Sequence, residues 1–124
     1  MINQVFLYLG SIILFFWGVA HLFPTKSVVK GFGDITADNK RIITMEWIIE
    51  GVALIFIASI ICALTYIEYN AMISKTIYMI SFIMLNILSV ISLFTGFRIK
   101  FLPFKLCPVI FTTSSILILL GSYL

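Results

Sequence analysis

Charge is scarce in this chain: Asp, Glu, Lys and Arg make up 10% of its residues, and hydrophobic residues 62%. Ordinary soluble domains carry about 25% charged and about 45–50% apolar residues, so the composition excludes that class and indicates a membrane protein. Cysteine is nearly absent. Cys62 and Cys107 are the only 2, and neither belongs to a CxxC pair. One falls late in the second apolar run and the other early in the fourth, toward opposite membrane faces of an alternating bundle. A disulfide needs Cα atoms within about 7 Å, so none is expected, and the thiol oxidoreductases of membranes, which need paired cysteines, are excluded. There is no nucleophile motif and no glycine-rich phosphate loop, which speaks against hydrolytic or nucleotide-dependent chemistry. The net charge of +3 does not signal nucleic acid. Its cations sit in short loops beside apolar runs, where orientation and lipid headgroups account for them.

What is present is a series of four apolar runs, each about long enough to cross a bilayer, which needs about 20 residues. The sequence predicts an all-α integral membrane bundle, a single domain over residues 1–124 with four antiparallel transmembrane helices at about 2–23, 42–66, 72–97 and 104–123. The first run lacks the basic start and small-residue cleavage site of a signal peptide, and reads as a retained span that Pro24 ends. The polar stretch 24–41 follows. In it Gly31-Phe32-Gly33 suits a turn carrying an interfacial aromatic anchor, and Asp34, Thr36 or Asp38 can cap the next helix. In the third run Ser89 and Ser92 recur at helical spacing as packing residues, and Asn86, near mid-membrane, calls for an interhelical or dimer hydrogen bond. The Thr112-Thr113-Ser114-Ser115 run can bond back to carbonyls one turn earlier.

Orientation follows from the cations. Lys26, Lys30, Lys40 and Arg41 lie in the first loop and Arg98, Lys100 and Lys105 in the third, against Lys75 alone on the other side. Cytoplasmic loops are the ones enriched in Lys and Arg, so both termini are expected outside the cytoplasm, with a bacterial inner membrane as the location.

The one constellation suited to chemistry lies at the cytoplasmic end. Trp17 and His21 are four apart on the first helix, as are Glu46 and Glu50 on the second, and each pair shares a helix face. Counting ~1.5 Å per residue from the helix ends places His21 level with Glu46 and Trp17 level with Glu50, with Arg98 within reach of the same inward layer. Ionisable groups at such depth are costly, so they pair or line a cavity. Three readings compete. The carboxylates bond to His21, Arg98 and the indole N–H of Trp17 or Trp47, fixing helix register. Alternatively, His21 and a carboxylate move a proton beside a flat apolar ligand of quinone type, walled by Trp17 or Trp47. The third reading, a metal held by one histidine and two carboxylates, lacks supporting ligands, and no metal is expected.

Two stretches resemble a known family. Gly10 through Pro24, with Gly18-Val19-Ala20-His21-Leu22-Phe23-Pro24, and Glu50-Gly51-Val52-Ala53-Leu54 look like the first two helices of the DoxX-like small four-helix membrane proteins. Within the resemblance His21 and Glu50 correspond to recurrent polar positions. Relatives of that kind include a quinone-linked thiosulfate oxidoreductase subunit, accessory subunits of membrane redox complexes and receptor chaperones. The function implied first is therefore a non-enzymatic accessory or assembly subunit of a membrane, redox-linked complex. A quinone-binding or proton-coupled membrane protein using the His/Glu site is the alternative, and a small channel or exporter made by dimerisation through the third span is a further one. The partners expected are the lipid bilayer, a membrane-protein partner or a second copy, and no nucleic acid.

Overall fold

The structure, a computed structural model, describes residues 1–124. It holds five helices: α1 Ile2–Leu22, α2 Thr25–Lys30, α3 Ala37–Glu68, α4 Met72–Thr95 and α5 Leu102–Tyr123. All but α2 are long and apolar enough to cross a membrane. Two features differ from the expected boundaries. The stretch after Pro24 contains the short helix α2, with Thr25 Oγ1 donating to the Leu22 carbonyl at 2.7 Å. Helix α3 starts at Ala37, five residues ahead of the apolar run, because the Thr36 hydroxyl accepts the Asn39 N–H at 3.2 Å. Of the three candidate caps, Thr36 is the one used, and it satisfies a donor that would otherwise be left open at a helix start.

Each long helix buries only a narrow stripe. On α3 the buried positions are Gly51, Leu54, Ala58, Ile61 and Thr65, and on α4 Ser74, Tyr78, Ser81, Leu85 and Ser89. Spacings of three and four residues make the seam by which helices pack along their length. Many stripe residues are Gly, Ala or Ser, which let backbones approach closely where packing rather than water exclusion drives association. The remaining faces are apolar and exposed, among them Phe16, Phe56, Ile80 and Phe94.

Helix α1 lies between α3 and α5, and α5 also packs against α4. One core joins them, with Leu7 and Leu14 from α1, Leu54 and Ile61 from α3, Leu85 from α4 and Phe111 from α5. Although consecutive, α3 and α4 touch little. Near their connection they are tied by a 3.0 Å hydrogen bond between Thr65 Oγ1 and the Tyr78 hydroxyl, and by Ser74 Oγ donating to the Glu68 carbonyl at 2.6 Å.

Hydroxyl groups also join α4 to α5. Ser89 Oγ donates to the Pro108 carbonyl at 3.0 Å and lies 2.7 Å from Thr112 Oγ1. Ser89 has one hydrogen, so with that hydrogen on Pro108 the Thr112 hydroxyl is the donor in the second contact. Of the hydroxyl run on α5, Ser115 bonds back to the Thr112 carbonyl as expected, whereas Thr112 reaches across to Ser89. Asn86 departs from expectation. Its Nδ2 donates to the Phe82 carbonyl of its own helix at 2.7 Å, so the chain itself supplies no interhelical partner for it. Ser92 is half-buried one turn beyond Ser89. Cys62 is exposed and Cys107 buried, both as free thiols.

Candidate functional site

The site is set by how α1 crosses α3. A Cβ added to Gly18 would lie 2.9 Å from the Gly51 carbonyl oxygen, so the two backbones meet where neither residue carries a side chain. That contact places the last turn of α1 beside the residues of α3 just before Gly51. His21 is thus brought to Glu50 and Trp47. Counting from the helix ends puts His21 level with Glu46; the close approach of Gly18 and Gly51 sets it instead beside Glu50, one turn further along α3.

His21 Nε2 stands 3.4 Å from Glu50 Oε2. The side chains differ in access: that of His21 is 5% exposed and that of Glu50 45%. The Trp47 ring stacks on the imidazole with centroids 4.0 Å apart and planes inclined by 16°. Its Nε1 donates to the His21 backbone carbonyl at 2.7 Å. That carbonyl belongs to the last turn of α1, where the helix leaves its carbonyls without internal partners, so Trp47 both covers the histidine and caps its helix. Phe104 of α5 packs edge-on against Trp47 at 5.6 Å, and Phe101 against Phe104 at 6.0 Å.

Outside this cluster lies an open groove of about 450 Å³, with Glu46, Trp47 and Glu50 on one side and Phe32, Ile99 and Phe104 among the residues facing them. It is apolar except for the two carboxylates. Glu46 is exposed and forms no ion pair, so it lines the groove without joining the histidine. Arg98 is exposed on the third loop and has no carboxylate partner, so it does not complete the expected layer. Trp17 is beside Cys107 of α5 and does not touch the His21–Glu50 contact. No group of three His, Cys, Asp or Glu side chains is arranged to hold a metal ion.

Two polar atoms near the site are left open. His21 Nε2 is buried and, at its distance and angle from Glu50, makes no hydrogen bond; Trp17 Nε1 is likewise buried without a partner. Buried polar groups are normally satisfied, so an imidazole nitrogen left with one poorly aligned carboxylate is a position where a further polar group can bind. Chemically, an imidazole and a carboxylate at this range can exchange a proton, and the aromatic walls offer stacking to a flat apolar molecule.

Phe104 and Phe32 were not singled out from the sequence as site residues. The signal available was the dense alternation of aromatics and cations in the third loop, with Phe32 the one aromatic of the first, which reads equally well as interfacial anchoring. No protein-family model matches this chain, and neither a curated protein nor a solved structure is detectably similar to it.

Proposed function

We propose that the chain is an integral membrane protein whose four long helices insert as an antiparallel bundle with both termini outside the cytoplasm. We further propose that its His21–Glu50 pair forms a proton-exchanging binding site for a flat apolar ligand of quinone type. The observation that carries the site reading is the buried, unbonded His21 Nε2 beneath Trp47, with Glu50 reaching from it into an acidic and aromatic groove. Glu50 accepts the proton and His21 relays it. Trp47 forms one wall and Phe104 another. The resemblance to the DoxX-like proteins, in which His21 and Glu50 match recurrent polar positions, points the same way.

The test is mass spectrometry of wild-type and E50Q protein purified gently from native membranes, reading bound apolar small molecules and co-purifying proteins together. The amide keeps the size of Glu50 and removes its ability to take up a proton. An aromatic, redox-active lipid is expected with the wild type and strongly depleted from a still-folded E50Q protein. Equal amounts in both would sink the site reading.

A second reading, an accessory subunit of a membrane complex, is favoured by the way Trp47 uses its N–H and its ring to fasten α1 to α3, a purely internal duty. Stoichiometric partner subunits in both samples, with no small molecule, would establish that reading instead. Orientation has its own measurement. A reporter active only outside the cytoplasm and fused after Leu124 is expected to be active, and the same reporter in the third loop silent; the reverse pattern would overturn the topology.

A further inference from the structure

Beside the acidic groove lies a second one of about 450 Å³, formed where α2 meets the third loop, with Val28, Gly31 and Phe32 on one side and Ile99, Phe101 and Phe104 on the other. The chain alternates groove residues with cations. Lys26 precedes Ser27, Lys30 precedes Gly31, Arg98 and Lys100 flank Ile99, and Lys105 follows Phe104. Of the seven cations on this side of the protein only Arg41 meets a carboxylate, Asp38 at 3.3 Å, and that pair stands apart from the groove. Lys105 is instead held over the Phe97 ring, 5.1 Å from its centroid.

We infer that this groove is a binding site for one anionic phospholipid, its phosphate held among Lys26, Lys30, Lys100 and Lys105 and an acyl chain against Phe32, Phe101 and Phe104. Charge complementarity selects the occupant. None of these lysines lines the trough, but each of Lys26, Lys30, Lys100 and Lys105 is one residue from a residue that does, and none forms an ion pair. Cations so placed at the end of a membrane bundle fit an anion that carries its own apolar tail. A soluble anion would leave the trough uncovered, and a zwitterionic lipid would bring a cation of its own to the basic rim. The carboxylates of Glu46 and Glu50 line the neighbouring groove and not this one, and the two grooves share Val28, Phe32, Ile99 and Phe104 as a common wall. Asp34 is the remaining acid of the first loop, and it forms no ion pair with any of these cations.

The site rests on the membrane reading but not on the role given to His21 and Glu50, and the experiment keeps the two apart. The full chain is placed in phosphatidylcholine nanodiscs containing a minor share of phosphatidylglycerol, and retained lipid is read by native mass spectrometry. Wild-type and E50Q proteins are both expected to retain phosphatidylglycerol over phosphatidylcholine by about tenfold. The K26Q/K30Q/K100Q/K105Q protein is expected to lose that preference, while K40Q/R41Q, which removes two cations of the same face away from the groove, keeps it. F101S leaves every charge in place and is expected to weaken retention severalfold, and glycerol phosphate without acyl chains is expected not to compete. Equal loss in K40Q/R41Q would reduce the effect to general surface charge and overturn the inference. Displacement by glycerol phosphate, or wild-type behaviour of the quadruple variant, would overturn it as well.

Discussion

Alanine at Gly18 is expected to destabilise the protein by about 1–3 kcal/mol, and leucine there to prevent α1 from docking on α3. A Cβ at this position would meet the Gly51 carbonyl oxygen and Ile55 Cγ1, each at 2.9 Å, and the Ile55 nitrogen at 3.0 Å. Two of these three are backbone atoms, which no rotamer change can move aside. Relief requires separating the helices, and that forfeits the close packing on which helix association in a bilayer depends. The partner glycine is a built-in comparison. A Cβ at Gly51 would meet the Leu22 side chain, Cδ2 at 2.5 Å and Cγ at 3.0 Å, and the Gly18 carbonyl oxygen at 3.1 Å, so one of its three contacts is backbone. Alanine is therefore expected to cost less at Gly51 than at Gly18. Unfolding in mild detergent, driven by added denaturing detergent and followed by tryptophan fluorescence, measures both. A Gly18→Ala protein as stable as wild type would show that the crossing does not set the register of α1 against α3.

That crossing also explains which parts of the molecule can be read from the residues. The four long helices are legible because apolar runs of span length leave few alternatives, and the observed α1 and α5 end within two residues of expectation. Helix α2 is not legible: six residues are too few to show a period, and Thr25 opens it with a hydroxyl bond back to the Leu22 carbonyl that many loops also make. The start of α3 at Ala37 is hidden for a related reason, since its first turns are polar and only the Thr36 cap distinguishes them from loop. For the site, counting residues from the helix ends brings His21 and both carboxylates to one end of the fold but leaves open which glutamate stands against the imidazole. Depth counting carries an error of about one turn, and one turn is the separation of Glu46 from Glu50. The glycines that decide the matter are short on information in isolation, because a glycine in an apolar helix reads the same whether it faces lipid or another backbone.

The opposite holds for Arg98. Its place in the sequence, just past the third apolar run, suggests a cation able to reach the carboxylates, and the chain instead leaves it exposed on a loop whose Ile99 lines the groove. An arginine in hydrocarbon needs a partner, but one at the interface does not, so no pairing force draws it inward. This leaves His21 as the only counter-group for Glu50 and concentrates the energetics of the site in a single contact.

The second large effect is expected at that contact. Leucine at His21 alone is expected to cost about 2–3 kcal/mol, because the Glu50 carboxylate then loses the one polar side chain beside it and the stack on Trp47 is lost. Leucine at Glu50 alone is expected to cost about 1–2 kcal/mol: the carboxylate is 45% exposed, which screens its share, while the buried His21 nitrogen loses its one neighbour. The H21L/E50L protein should lose less than the sum, by about 1 kcal/mol, since it leaves neither group stranded. The cycle is clean in one respect. The Trp47 N–H bonds the backbone carbonyl of residue 21, so that link survives every variant and the coupling reports on the side-chain pair alone. Strictly additive losses would mean that the pair does not fasten α1 to α3, and that the glycine crossing and the Trp47 cap do so without it. Additive losses combined with depletion of the bound lipid from E50Q would separate recognition from stability. The carboxylate would then be held beside the imidazole for its proton rather than for its charge.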